Sequence, residues 1–137
     1  MSRKNNTLFI LLLLMIMMTF LLPGCNAVEP RINLAEVTEI DILISESFPV
    51  QVHVVASGYL PNPCTKIEEI IQSREGNNFF VTIKTKSSLL PCIQVIAPFE
   101  ETIALDVYGL SAGTYTVNVN GIEDTFTLEI DNIYQTI

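Results

Sequence analysis

The chain has 137 residues, and its seven Lys and Arg face fifteen Asp and Glu, for a net charge of −8. That length bounds it to one ordinary domain plus a short accessory segment. The acidic balance argues against nucleic acid, whose phosphates demand clustered Lys and Arg, and against holding anionic lipid headgroups by charge.

Residues 1–24 have three parts. Arg3 and Lys4 make a positive start. Leu8 to Leu22 is an apolar run interrupted only by Thr19, of signal-peptide length and short of the roughly 20 residues a bilayer-spanning helix needs. Pro23 and Gly24 then end the helix and lead directly into Cys25. The run Leu21-Leu22-Pro23-Gly24-Cys25 resembles the bacterial lipobox, in which small residues precede a cysteine. The resemblance implies cleavage before Cys25, a diacylglycerol thioether on its sulfur and an acylated new N-terminus. Two or three acyl chains anchor a protein stably where one does not. An uncleaved anchor helix and a plain secretory signal are the alternatives; the latter would prefer an A-x-A-like site and leave Cys25 a spare thiol. Asn26 is not the Asp that marks inner-membrane retention in the enteric sorting rule, so a two-membrane host would favour the outer one.

Loss of residues 1–24 leaves 113 residues, with neither Met nor Trp, and removes two of the seven basic residues, so that five face fifteen acidic ones for a net of −10. Such a charge keeps a surface solvated and discourages self-association. With Cys25 used by the anchor, Cys64 and Cys92 remain. An exported compartment is oxidising enough to join them. The closed loop of 29 residues, counting both ends, contributes roughly 3.5 kcal/mol in the chain-entropy model. Neither cysteine has the Cys or His neighbours a metal site needs.

Residues 25–36, the anchor cysteine and a short segment with Pro30, read as a tether that keeps the domain close to the bilayer. From Val37 the period is two. Ile40, Ile42 and Ile44 form one row and Val50, Val52 and Val54 the next. Gly58 to Pro63 reads as a turn-rich loop, with Pro61 and Pro63 stopping any strand. Cys64 to Arg74 fits neither period cleanly. A strand is preferred to a short helix because Gly76-Asn77-Asn78 follows as a hairpin turn. Phe79, Val81, Ile83 and Thr85 make a clear inward row. Ser87 to Pro98 is irregular. Thr102 to Tyr108 is a strand, Gly109 to Gly113 a turn, and Tyr115, Val117 and Val119 the next inward row. Asn120-Gly121 is the strongest hairpin signal of the chain, because a type I′ turn needs positive φ at both central residues. Phe126, Leu128 and Ile130 complete the last strand, and residues 132–137 are a tail.

Seven short strands over residues 37–131 without a convincing helix predict an all-β, immunoglobulin-like sandwich of antiparallel strands. Leu110, Gly113 and Tyr115 fit a tyrosine corner, whose hydroxyl bonds to backbone upstream. On these residues the chain resembles bacterial Ig-like and fibronectin-III-like surface domains, although the Cys…Trp…Cys core is absent and Cys64–Cys92 would staple a loop. The runs Val52 to Cys64 and Pro98 to Leu110 are similar to an exported domain of bacterial lipoproteins that brings no established activity. Together these resemblances imply a lipid-anchored, exported, non-enzymatic protein working in protein binding or envelope structure, in contact with a membrane and an unidentified protein partner.

Chemistry has few candidates. His53, the only histidine, makes neither a zinc site nor a general base alone and reads as a solvent-facing strand residue. Glu68-Glu69, Glu100-Glu101 and Glu123-Asp124 are adjacent pairs, and strand neighbours point to opposite faces. No calcium-loop pattern accompanies them, and Glu123-Asp124 is the least unsuitable. Ser111 lacks a nucleophile elbow, and no glycine-rich phosphate loop occurs. No catalytic, metal or cofactor residue is expected. A small-ligand or sugar site would need clustered aromatics, which the sequence does not present. The stretch from Gly58 to Thr65 is the candidate binding loop, with Tyr59, Pro61, Asn62, Pro63 and Thr65 as contacts on a pre-organised surface. Asn62-Pro63-Cys64-Thr65 also resembles the Asn-Pro-Thr-Thr-Gly loop of chagasin-type cysteine-protease inhibitors, with Cys64 in place of the first Thr, Lys66 in place of the Gly and no Trp elsewhere. That resemblance implies contact roles for Asn62 and Thr65.

Overall fold

The computed structural model describes residues 4–18 and 32–134. The run Leu21-Leu22-Pro23-Gly24-Cys25, on which the lipobox resemblance rests, and residues 135–137 lie outside them. In the apolar N-terminal stretch, Lys4–Met18 forms helix α1. Among the described residues no helix is long and apolar enough to cross a membrane.

The remainder is an all-β sandwich of eight strands: β1 Ile32–Leu34, β2 Glu36–Ile44, β3 Val52–Leu60, β4 Thr65–Glu75, β5 Asn78–Ser87, β6 Ala97–Leu105, β7 Gly113–Val119 and β8 Ile122–Leu128. One sheet is β2-β3-β6, and the other joins β4, β5, β1, β7 and β8. The inward rows interleave as the period of two requires. Val52, Val54, Ala56, Ile103 and Leu105 of the first sheet meet Phe79, Val81, Ile83, Val117 and Val119 of the second. The rings of Phe79, Tyr115 and Phe126 pack together with centroids 5.4–6.1 Å apart. Tyr115 closes the expected tyrosine corner by donating from its hydroxyl to the Ser111 carbonyl at 2.8 Å.

The sandwich corrects the sequence reading in five places. It begins at Ile32, not Val37. β1 pairs with Lys84–Lys86, and Ala35, expected in the tether, is 5% exposed in the core. Pairing is not antiparallel throughout, because β5 and β7 run parallel over Asn78–Val81 and Thr116–Val119. Gly58–Leu60 belong to β3. A Cβ on Gly58 would run into the carbonyl oxygen of Glu36, beside the bulge between Val37 and Glu39. A glycine inside a strand run marks a close backbone approach as readily as a turn. β6 starts at Ala97, not Thr102. Finally, β8 ends at Leu128 and leaves Ile130 exposed.

The ambiguity of residues 64–74 also has a cause. β4 carries a bulge between Ile67 and Glu69, so its inward positions fall at Thr65, Ile67 and Ile70. One inserted residue shifts the alternation and imitates a helical spacing.

One edge of β5 is completed in an unusual way. β7 pairs with it up to Val81 and β1 from Lys84 onward. Asn120 fills the gap between them. Its Oδ1 accepts from the Ile83 amide at 2.9 Å, and its Nδ2 donates to the carbonyls of Ile83 and Ala35 at 3.0 and 2.8 Å. The same residue takes φ +48° with Gly121 at +98°, as the predicted hairpin turn requires. A side-chain amide stands there in place of a peptide group.

Candidate functional site

The functional candidates lie at the two ends of the sandwich. At one end β3 passes to β4, β5 passes to β6, and β1 begins. The turn Pro61–Cys64 carries Asn62, whose Oδ1 accepts from the Cys64 amide at 3.1 Å and from the Thr65 hydroxyl at 3.0 Å. Thr65 is 2% exposed and also meets the Ser87 hydroxyl at 3.0 Å. The predicted contact set therefore divides. Pro61 and Pro63 are exposed at the turn. Tyr59 is exposed on the outer face of β3, opposite Pro98. Asn62 and Thr65 spend their polar groups on the turn itself, and the buried Thr65 is removed from the contact set.

The disulfide joins Cys64 to Cys92 with their Cα atoms 6.2 Å apart, and the Ser88 amide bonds to the Cys64 carbonyl. What it pins is residues 88–96, the crossover between the sheets. This segment carries Leu89, Leu90, Ile93, Val95 and Ile96, all 56–75% exposed, and no charged residue. The irregular stretch of the sequence carries its own signal for this surface, the uncharged run Leu-Leu-Pro-Cys-Ile-Gln-Val-Ile without any alternation.

At the other end the β2–β3 turn, the β6–β7 crossover and the C-terminal segment converge on Asn132, which is fully buried. Its Oδ1 accepts from the Val50 amide at 2.7 Å, and its Nδ2 donates to the carbonyls of Val50 and Val107 at 2.9 and 3.0 Å. Its own backbone bonds to Gly109 and Leu110. Asn132, expected in the tail, is thus an integral part of the fold, because a buried amide with every group satisfied is a rigid junction. Beyond it Tyr134 lies edge-on to Phe48, centroids 5.7 Å apart, and 6.1 Å from Tyr108. The three rings are 50–61% exposed. Phe48 precedes a cis Pro49. Beside them a shallow groove is lined by Pro49, Gln51, His53, Asp106 and Tyr108. The aromatic cluster that the sequence did not present is assembled from three distant segments, so no local pattern could reveal it.

The remaining candidates are dispersed. His53 is half-buried on the outward face of β3, between Leu43 and Ala104. The β4 bulge turns both Glu68 and Glu69 toward lysines of β5, Lys86 at 3.1 Å and Lys84 at 3.3 Å, against the expected divergence of strand neighbours. Glu123 accepts from the Asn118 amide, and Asp124 from the Thr125 backbone. Among the described residues no group of three or more His, Cys, Asp or Glu could hold a metal ion.

Comparison with known proteins gives kinship and no activity. An 85-residue stretch covering 60% of this chain is 38% identical to the whole of an uncharacterised 10.2 kDa protein in the HgiBIM 5′ region of Herpetosiphon aurantiacus. The corresponding protein of the HgiEIM 5′ region matches equally. A third, from the HgiCIIM 5′ region of the same organism, is 34% identical over 95 residues, 67% of this chain and 98% of the relative. No solved structure matches. Residues 54–128, from the middle of β3 to the end of β8, match the model of the ORF11 beta-sandwich domain, and the chain belongs to that family.

Proposed function

We propose that this protein is an exported lipoprotein, held at a membrane through Cys25, that acts by contact and not by catalysis. The observation that carries the reading is the leader. A basic start, an apolar run too short to span and Leu-Pro-Gly-Cys occur in the order that lipid attachment requires. The sandwich is compatible with that role: His53, the Glu68–Lys86 and Glu69–Lys84 pairs, and Glu123 with Asp124 lie on different strands. Its aromatic end offers Phe48, Tyr108 and Tyr134, the residue types that dominate protein–protein contact. A protein partner bound at that end, or an envelope-structural contact, is the work we assign to it. Protease inhibition through the 58–65 stretch gains no support from a turn in which Asn62 Oδ1 accepts from the Thr65 hydroxyl and from the turn's own Cys64 amide.

Mass spectrometry of the N-terminal peptide from membranes tests the anchor. We expect a chain starting at Cys25 and carrying acyl mass. The Cys25→Ser chain should lose that mass and remain uncleaved. An unmodified Cys25, or cleavage at another bond, would sink the reading.

A further inference from the structure

The anchoring reading has a geometric consequence. Ile32, where β1 begins, pairs with Lys86 near the end of β5, and β5 runs straight into the disulfide-pinned crossover 88–96. The chain arriving from Cys25 therefore enters the sandwich at the end that displays Leu89, Leu90, Ile93, Val95 and Ile96. Seven residue steps separate Cys25 from Ile32, and a fully extended chain spans at most about 25 Å over that length. Anchored by Cys25, this end has little room for anything except lipid.

Resting on the lipoprotein reading above, we propose that the crossover 88–96 is a second membrane contact, its aliphatic side chains seated in the bilayer interface. The occupant is a lipid surface. Five exposed aliphatic side chains and no charge on eight consecutive residues suit the boundary between headgroups and acyl chains. The backbone of this segment has few internal partners, Leu90 to the Ser88 hydroxyl and the Cys92 carbonyl to the Gln94 side chain. It therefore belongs at a depth water still reaches and not in the hydrocarbon centre, where unpaired peptide groups are costly. At the base of the crossover Lys66 stands opposite Lys86 on β4 and β5, and Glu68 pairs with Lys86, so the seating rests on the aliphatic side chains and not on charge. The disulfide fixes the crossover before it meets the membrane, so little ordering remains to oppose insertion. Two contacts, one lipid and one loop, hold the sandwich upright with its aromatic end outward.

The chain contains no tryptophan, so a single one reports position. Leu90 and Tyr108, both exposed and at opposite ends, are replaced in separate full-length, lipidated proteins as Leu90→Trp and Tyr108→Trp. Each is reconstituted into phosphatidylcholine–phosphatidylglycerol vesicles with brominated acyl chains. The expected result is quenching at position 90 about threefold stronger than at 108, with a blue-shifted emission at 90 only, as tryptophan shows at the membrane interface. Equal quenching at both positions in a chain whose Cys25 carries lipid overturns the proposal and leaves the anchor intact. Emission at 90 that shifts with protein concentration and ignores the brominated lipid overturns it in favour of a second copy. A Cys25 without lipid, read by mass from the same preparation, overturns the anchor and this proposal together.

Discussion

The two ends of the sandwich solve one problem by different chemistry. Each must hold an irregular crossover between sheets. The end where β1 begins does so covalently, through Cys64–Cys92, and can therefore leave its aliphatic side chains in the open. The aromatic end does so with the buried amide of Asn132, which needs a packed, dry surrounding to act. A cross-link tolerates an exposed, apolar loop around it; a hydrogen-bonded junction does not. The division of labour we assign, lipid at one end and partner at the other, follows that difference.

The largest effect expected is at the hydrogen-bonded end. Asn132→Ala leaves the Val50 amide and the Val50 and Val107 carbonyls without their partner, a loss of about 3–5 kcal/mol given the cost of buried unsatisfied groups. Urea unfolding measures it, and a midpoint unchanged from the parent would mean that Asn132 is not the junction described here. Next comes the covalent end. Cys64→Ser with Cys92→Ser should lower stability by about 3 kcal/mol from loop closure. Hydrogen exchange should rise in 88–96 while residues 106–112 keep their protection. Uniform loss at both ends would break the comparison. Tyr115→Phe, which removes only the hydroxyl bond to Ser111, should cost about 1 kcal/mol and loosen the crossover at the aromatic end; thermal melts resolve this. Smallest of all, Lys84→Ala deletes one exposed ion pair with Glu69 and should change stability by no more than about 0.5 kcal/mol. A larger loss in the same melts would give the β4 bulge a structural weight that its exposed pairs do not suggest.

Much of the sandwich was legible in the residues because strand burial has a period of two. The rows Val52-Val54, Phe79-Val81-Ile83 and Tyr115-Val117-Val119 are the core observed. Asn120-Gly121 and Tyr115 were legible because a turn and a corner are local chemistry. What escaped was set by distant partners. Gly58 was read as a turn, since nothing near it in sequence announces the Glu36 carbonyl that forbids a side chain. Glu68 and Glu69 were read as diverging, because a bulge has no residue signature of its own. Asn132 was read as tail, because one asparagine after a strand is ordinary until its three backbone partners are known. The aromatic end failed for the same reason, Phe48, Tyr108 and Tyr134 being brought together only by the fold.

Asn120 gives the tip of the β7–β8 hairpin an unusual status. Hairpin tips are commonly treated as interchangeable parts, and Asp-Gly serves a type I′ turn as well as Asn-Gly. Here the exchange would not be free. An aspartate could still accept from the Ile83 amide, but it would set a carboxylate against the Ala35 and Ile83 carbonyls that Asn120 now donates to. The tip is a keystone between two strands that do not reach each other, and a graft chosen for turn geometry alone would open the seam along β5.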